Sequence, residues 1–145
     1  MQRMTETNPT DYEGILKSFD LSDDRLWHYR ATICRVIDGD TVVALVDKGF
    51  KNFQLEHLRL WGIDTPELRP RKGTDEEKIA EKVAAKAAKA RVEQMIGGKE
   101  VIIRTKKADK YGRYLAEIFL PDDLSNTVND QLVEEGYAVE YMRKR

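Results

Sequence analysis

The stretch from residue 30 to residue 60 reads RATICRVIDGDTVVALVDKGFKNFQLEHLRL, and its pattern decides the fold. Apolar and β-branched residues alternate with polar ones, as expected for half-buried strands. Three runs follow this pattern, at about 30–37, 41–47 and 53–60. Asp38-Gly39 links the first two runs and Lys48-Gly49 the next two, and glycine-containing links of this length are typical of hairpins. The stretch therefore predicts three consecutive antiparallel strands.

The rest of the chain adds helices and two more strands. Thr74 and Glu77 form a capping-box pattern that predicts a helix start, and Gly97-Gly98 predicts its end. The apolar stripe of this helix is predicted at Ile79, Ala80, Val83, Ala84, Ala87, Ala88, Met95 and Ile96. Further strands are predicted at about 100–106 and 113–120, a helix at about 126–135, and one helical turn at 137–142. Five strands with a helix between the third and fourth fit an α+β, mainly β fold, a Greek-key barrel of the OB type.

The first 29 residues form a separate extension in this interpretation. Residues 1–9 are polar and predicted to be disordered. Thr10 and Glu13 repeat the capping-box pattern, and apolar residues at helical spacing follow, so a short amphipathic helix is predicted. We expect it to pack on the domain, with docking to a partner as the alternative. The predicted boundaries are 1–29 for the extension and 30–145 for a single domain.

Composition and charge restrict the classes of function. The 145 residues, 41% of them hydrophobic, are enough for one domain with one core. With 25 basic and 26 acidic residues, the net charge of −1 provides no global basic field for nucleic acid. Local basic runs at 69–72, 104–110 and 143–145 would have to supply the attraction. The single cysteine, Cys34, excludes an internal disulfide, and its apolar surroundings in sequence predict a buried thiol.

The sequence gives no indication of contact with a membrane. No segment approaches the roughly 18 apolar residues of a membrane span, and the first residues lack the apolar core of a signal peptide. We therefore expect a cytoplasmic, soluble protein, or a secreted one if a leader has been removed. A monomer is favoured.

Three short clusters carry the residue types that phosphodiester cleavage needs. They are Asp38-Gly39-Asp40-Thr41, the segment from Arg59 to Glu67, and Asp109 to Arg113. Cations must offset the charge that develops on phosphoryl oxygens, and a positioned group must orient water. Each cluster alone is weak evidence, because Asp-Gly is a common turn dipeptide and surface arginines often form only salt bridges. The two histidines lack metal-ligand spacing, so hard oxygen ligands for calcium or magnesium are favoured over a zinc site.

Taken together, the clusters resemble the staphylococcal nuclease (thermonuclease) family. The resemblance rests on Val36 to Val42, Arg59 to Glu67 and Asp109 to Arg113, and it covers roughly Arg30 to Tyr141. It implies an OB-type barrel and a calcium-dependent nuclease acting on DNA or RNA. It further implies attack on phosphorus by metal-activated water, with products that carry 3′-phosphate ends.

The resemblance also assigns roles to individual residues. The implied calcium ligands are Asp40, Asp64 and the backbone carbonyl of Thr65. The implied catalytic residues are Arg59 and Arg113, which would hold phosphate oxygens with their guanidinium forks, and Glu67, which would orient water or accept its proton. The implied substrate contacts are Lys110, Tyr111 and Tyr141.

The C-terminal residues depart from the family pattern, which places two tyrosines close together. Here Tyr141 is followed by Met142-Arg143-Lys144-Arg145, and Tyr137 comes too early to be an obvious substitute, so base stacking is expected to be weaker or differently arranged. Two other functions remain open. One is a catalytically silent OB-type module that binds nucleic acid or protein, and the other is an interaction protein that uses its acidic N-terminal helix. The presence of Asp40, Arg59, Glu67 and Arg113 together favours the enzyme.

Overall fold

The computed structural model of the protein describes residues 11–18, 25–108 and 113–143. Its elements are α1 (Tyr12–Lys17), β1 (His28–Asp38), β2 (Thr41–Asp47), β3 (Phe53–Leu60), β4 (Ile63–Asp64), α2 (Asp75–Ile96), β5 (Glu100–Ala108), β6 (Tyr114–Leu120), β7 (Asp123–Thr127), α3 (Val128–Glu134) and β8 (Val139–Glu140). No helix in these ranges is long and apolar enough to cross a membrane.

Five of the strands form a closed barrel. β2 pairs antiparallel with β1 and β3, β5 pairs antiparallel with β1 and β6, and β6 closes the ring by running parallel to β3. Alternate residues of these strands point inward and fill the core, among them Ile33, Val42, Leu58, Ile103 and Ile118, all fully buried. The predicted barrel is therefore confirmed, and closure leaves the central strands without free edges.

The predicted burial of Cys34 is wrong. The pairing of β1 with β2 shifts between Ile33 and Arg35, as in a β-bulge. A bulge adds one residue to one strand, so Cys34 and Arg35 both become exposed between the buried Ile33 and Val36. Alternation of residue types could not predict this local break in alternation.

Helix α2 begins where the sequence predicts, because the Thr74 hydroxyl accepts a hydrogen bond from the Glu77 N–H (3.2 Å). Its buried residues are Ala85, Ala88, Val92, Met95 and Ile96. Five residues of the predicted stripe are exposed: Ile79, Ala80, Val83, Ala84 and Ala87. That part of the prediction is wrong, because only the C-terminal half of the helix is buried against the barrel.

The C-terminal segment forms a strand, and the helical turn predicted at 137–142 is wrong. α3 ends near Gly136, whose φ of +82° suits glycine. Val139 and Glu140 then form β8, which pairs antiparallel with β4, Ile63 opposite Glu140 and Asp64 opposite Val139. This pairing supports the backbone of Asp64 from a segment about 75 residues further along the chain.

The N-terminal helix α1 begins after Asp11, whose carboxylate accepts a hydrogen bond from the Gly14 N–H (3.0 Å). The predicted cap, Thr10, lies outside the described residues. None of the α1 residues is buried, so the expected packing of this helix on the domain is not observed.

Candidate active site

The turn between β1 and β2 holds the carboxylate of Asp40 in a fixed position. Asp40 is buried, and its Oδ2 accepts a hydrogen bond from the Thr65 N–H (3.2 Å), while its Oδ1 accepts one from the Thr41 hydroxyl (3.1 Å). The Asp40 carbonyl accepts a hydrogen bond from the Leu60 N–H (2.8 Å). These contacts join the turn to the end of β3 and to the loop after β4. Two segments 25 residues apart therefore meet at one carboxylate.

Gly39 lets this turn approach its neighbours closely. A Cβ atom on Gly39 would lie 2.9 Å from Thr65 Cγ2 and 3.0 Å from Ala88 Cβ. Helix α2 and the loop after β4 therefore pack directly on the backbone of the turn, and any side chain there would push Thr65 away from Asp40.

We expect Gly39→Ala to lower the free energy of unfolding by about 1–3 kcal/mol, the usual cost of overpacking. Denaturant titration would measure it. The double variant Gly39→Ala/Thr65→Ser removes the methyl group at the closest contact and should recover part of the loss. Unchanged stability in the single variant would show that the turn tolerates a side chain.

Arg59 reaches from β3 to both acidic residues of the site. Its Nη1 lies 2.7 Å from Asp40 Oδ2, its Nη2 lies 3.4 Å from Asp64 Oδ1, and its side chain is only 13% exposed. Nη1 is buried and forms an ion pair with the Asp40 carboxylate, although it makes no well-aligned hydrogen bond within the described residues. The two carboxylates therefore fix the guanidinium group beside the turn.

The carboxyl groups around Arg59 differ in their tendency to ionise. Burial would raise the pKa of Asp40, but the hydrogen bond with Asp38 and the charge of Arg59 lower it overall. Burial and the same contact with Asp40 raise the pKa of Asp38 to about 6. Burial and the charge of Asp40 raise the pKa of Asp64. Asp38 thus holds a proton more readily than its neighbour, while negative charge concentrates at Asp40.

Arg113 joins the site from the start of β6. Because β6 runs parallel to β3 with Leu115 opposite Arg59, the residue two positions earlier lies near the same end of the barrel. Arg113 is partly buried, and its Nη1 donates a hydrogen bond to the Thr41 hydroxyl (3.5 Å). The structure therefore brings the second arginine next to the Asp40 turn. Lys110 and Tyr111 lie outside the described residues.

Glu67 lies in the loop after β4, with an exposed side chain. Its backbone N–H donates a hydrogen bond to Glu81 Oε2 on α2 (3.3 Å). Both glutamates line an open cleft of about 350 Å³ together with Asp64, Thr65 and Tyr137. Glu81 was not identified from the sequence, since it looks like one more charged residue on the polar face of a helix.

Glu81 gives a direct test of how this loop is positioned. If Glu67 orients water as the family resemblance implies, Glu81→Ala should lower kcat for phosphodiester cleavage about tenfold with little change in KM, because it removes the acceptor that fixes the Glu67 backbone and small displacements of catalytic groups are costly. Glu81→Gln keeps an acceptor oxygen and should restore most of the rate. Equal activity of the alanine variant and the wild type would exclude this positioning role.

The two tyrosines near the C-terminus occupy different places. Tyr141 follows β8, its N–H donates a hydrogen bond to the Gly62 carbonyl (2.9 Å), and its side chain is about half exposed. It is not among the described residues that line the cleft, whereas Tyr137 is. In the sequence, Tyr137 comes too early to substitute for the family's second tyrosine. The local pattern does not predict that the chain returns along β4, where Tyr137 lines the cleft.

The site offers hard oxygen donors but few of them. Among the described residues, no group of three or more His, Cys, Asp or Glu side chains is arranged to hold a metal ion. Asp40 and Asp64 are nevertheless close enough for the charge of one to raise the pKa of the other. Two carboxylates beside a backbone segment fit a hard ion such as Ca²⁺ if carbonyl, water or phosphate oxygens supply the other ligands. The residues present therefore fit an open calcium site.

Comparison with known proteins bears on the family resemblance of the chain. Residues 57–145 match the sequence model of a family described as Staphylococcal nuclease homologue. An uncharacterized protein of Methanocaldococcus jannaschii is 35% identical over 133 residues, which cover 79% of this chain and 60% of that protein. Protein ParB of Escherichia coli is 30% identical over 118 residues (77% and 57%). Thermonuclease of Staphylococcus intermedius is 35% identical over 106 residues (72% and 55%). The chain thus spans between 55% and 60% of the length of these relatives.

Proposed function

Because the chain belongs to the staphylococcal nuclease family, we propose that it is a calcium-dependent nuclease that hydrolyses phosphodiester bonds of DNA, RNA or both. The observation that carries this proposal is the guanidinium group of Arg59, which is mostly buried and held between the Asp40 and Asp64 carboxylates. A cation fixed in place beside carboxylates that could hold an ion suits the charge that develops on a phosphoryl group.

The two arginines supply the charge stabilisation. Arg59 is held by Asp40 and Asp64, and Arg113 contacts Thr41, so both arginines contact the turn that holds Asp40 and Thr41. A guanidinium group keeps its charge and presents parallel N–H donors that match phosphate oxygens. Donors fixed in place before the reaction need no reorganisation as charge develops on the phosphoryl group. We assign this role to Arg59 and Arg113.

The carboxylates of the site have two proposed roles. Some bind the ion, and one orients water and accepts its proton. Asp40, Asp64 and the Thr65 carbonyl are the proposed calcium ligands, and the ion would offset phosphoryl charge and lower the pKa of a water molecule. Thr65 N–H fixes Asp40, and the β4–β8 pairing supports Asp64. Glu67, exposed to the cleft, orients the attacking water and accepts its proton. Attack in line displaces the 5′ oxygen and leaves a 3′-phosphate.

The remaining substrate contacts are proposed for Lys110, Tyr111 and Tyr141. Lys110 and Tyr111 follow Asp109 in the sequence and would contact a terminal phosphate. Tyr141 would stack on a base or sugar from its half-exposed position beside β4.

One experiment tests the proposed function as a whole. The purified protein is incubated with single-stranded DNA and RNA in calcium, in magnesium and in chelator, and the new ends are identified. We expect calcium-dependent cleavage with 3′-phosphate ends. Asp40→Asn should weaken calcium binding measured by titration, because it removes one of few charged ligands. Asp47→Asn, which changes a carboxylate paired with Arg30 on the outer face of the sheet, serves as the control.

Two outcomes would overturn the proposal. Undiminished cleavage in excess chelator would exclude a requirement for a metal ion. Binding of nucleic acid without cleavage under any metal would favour the catalytically silent OB-type module.

A further inference from the structure

Arg143, the last residue that the structure describes, folds back over the turn that precedes β4. Its Nε donates a hydrogen bond to the Gly62 carbonyl (2.8 Å), which also accepts one from the Tyr141 N–H (2.9 Å). A Cβ atom on Gly62 would lie 2.8 Å from Arg143 Nε and 2.9 Å from its Cγ, so the arginine side chain lies directly on the backbone of the turn. Gly62 immediately precedes β4, which consists of Ile63 and Asp64. Arg143 therefore contacts the backbone two residues before Asp64.

The guanidinium end of the Arg143 side chain is held by helix α3. Nη2 lies 2.8 Å from Asp130 Oδ1 in the first turn of α3, and Nη1 lies 3.7 Å from Glu140 Oε1 on β8. The guanidinium carbon lies 5.7 Å from the centre of the Trp61 ring, within range of a cation–π contact. Only 26% of the side chain is exposed. Arg143 thus links α3, β8 and the turn before β4.

The backbone next to Arg143 adopts an unfavourable conformation. Met142 has a φ of +49°, in the left-handed region that disfavours residues with a side chain, and its side chain does not pack, since 71% of it is exposed. A backbone conformation of this kind persists when contacts on both sides determine it. Here those contacts are the hydrogen bonds that Tyr141 and Arg143 donate to the same carbonyl. The conformation of Met142 is therefore a consequence of placing Arg143 over Gly62.

These contacts matter most for Asp64. Its side chain is 42% exposed, whereas that of Asp40 is 11% exposed. Asp40 is fixed by hydrogen bonds from Thr65 and Thr41. The backbone of Asp64, by contrast, lies in a strand of two residues, and so short a pair of strands is only marginally stable without further contacts. A clamp on the residue before β4 limits the positions open to the Asp64 carboxylate.

We propose that Arg143 is a positioning residue of the active site, which clamps the turn before β4 to α3 and thereby holds Asp64 in place for the ion. The clamp consists of the Arg143–Gly62 hydrogen bond and the Arg143–Asp130 ion pair. Residues that orient metal ligands without touching the metal commonly contribute about ten- to a hundredfold to its affinity. The inference rests on the proposed function, in which Asp64 is a calcium ligand. The alternative role for Arg143 is direct contact with a substrate phosphate, as part of the basic run at 143–145.

The first test needs neither calcium nor substrate. In the metal-free protein, Arg143→Met should increase the rate of amide hydrogen exchange at Tyr141 by about tenfold or more, the effect of losing a hydrogen bond from a charged group. The matched control is Arg91→Met, because Arg91 is an arginine of similar exposure (24%) that pairs with Glu135 at 2.7 Å. It should leave exchange at Tyr141 unchanged, and thermal melting checks that both variants are folded. Equal acceleration in the two variants, or none in Arg143→Met, would overturn the proposal.

The second test measures calcium binding by titration and cleavage as a function of calcium concentration. Arg143→Met should weaken calcium binding by about tenfold or more, the lower end of the range for groups that orient metal ligands. The calcium concentration for half-maximal cleavage should rise by the same factor, and kcat at saturating calcium should return close to that of the wild type. Arg91→Met should change neither quantity. A raised KM for the oligonucleotide with unchanged calcium binding would make Arg143 a phosphate contact and overturn the proposal.

A substitution on the helix side tests the clamp without changing Arg143. Asp130→Asn should reproduce part of the loss in calcium affinity, because it removes the charge that holds the guanidinium group. The double variant Asp130→Asn/Arg143→Met should bind calcium no more weakly than Arg143→Met alone, since the two side chains act as one unit. Additive losses would show that they act independently, and the clamp would be wrong.

Failure of the proposed function can be told apart from failure of this inference. If the wild type neither binds calcium nor cleaves nucleic acid, the proposed function fails. The exchange experiment then still decides the inference, because a selective effect of Arg143→Met on the Tyr141 amide supports the clamp on β4 and the absence of that effect overturns it.

Discussion

Replacing Arg59 with lysine is expected to lower the rate of cleavage by about a hundredfold or more, with a much smaller change in nucleotide affinity, as when one preorganised donor is lost. Arg59 pairs with Asp40 through Nη1 and with Asp64 through Nη2, so its guanidinium group is fixed in one plane where we propose that the phosphate binds. Lysine retains the charge but cannot contact both carboxylates and a phosphate oxygen in one plane. Single-turnover cleavage and nucleotide titration would separate the two effects.

The same substitution elsewhere provides the control. Arg91 makes a forked pair with Glu135, at 2.7 and 3.0 Å, between α2 and the end of α3. Arg91→Lys should therefore cost some stability and leave the cleavage rate unchanged. Arg113→Lys should behave as Arg59→Lys does, because its guanidinium group lies at the same turn through Thr41. Near-normal turnover in either active-site variant would show that a point charge is sufficient, and the forked geometry would be wrong. Thermal melting excludes loss of folding as the cause.

Most of the barrel could be predicted from the sequence because its strands are bounded by local signals. The Asp38-Gly39 turn, the alternation along β2 and β3, and the Thr74 cap all act within a few residues. The errors arise where contacts between residues distant in the sequence determine the local structure. The bulge at Cys34 depends on how β1 pairs with its neighbours, and the strand at Val139 forms only because β4 is available for pairing. Neither condition is visible in the local pattern.

The proposed site likewise combines residues that local motifs predict with residues that only distant contacts bring together. The short motifs around Asp40 and Asp64 predicted the carboxylates of the site. The resemblance of these motifs to the family pattern predicted the arginines, Arg59 and Arg113. The supporting residues could not be found in this way. Glu81 belongs to a helix whose polar face carries many charged residues, and only the fold places it under the Glu67 backbone. Asp38 looks like a turn residue, and its raised pKa follows from burial next to Asp40. The residues that support the site, Glu81 and Asp38, are therefore identified only by their contacts in the folded protein.

Glu67→Gln is expected to lower turnover by roughly a hundredfold or more, at the lower end of the range for a positioned proton-transfer group. The substitution keeps the size of the side chain and removes its charge. The backbone hydrogen bond from Glu67 to Glu81 does not involve the exchanged atoms, so the loop should keep its position. Because the side chain is exposed, the melting temperature should not change. Calcium titration should also remain close to wild type, since the assigned ligands are Asp40, Asp64 and the Thr65 carbonyl.

A matched control for Glu67 is Glu134→Gln, which neutralises an exposed glutamate in the last turn of α3, outside the cleft. It should leave cleavage unchanged. The combination of results distinguishes the roles open to Glu67. Loss of cleavage with normal calcium binding would identify Glu67 as the group that orients water and accepts its proton. Loss of both cleavage and calcium binding would make Glu67 an ion ligand. Cleavage equal to wild type would remove Glu67 from the mechanism, and the protonatable group would then have to be sought among the other acids of the cleft, Asp64 and Glu81.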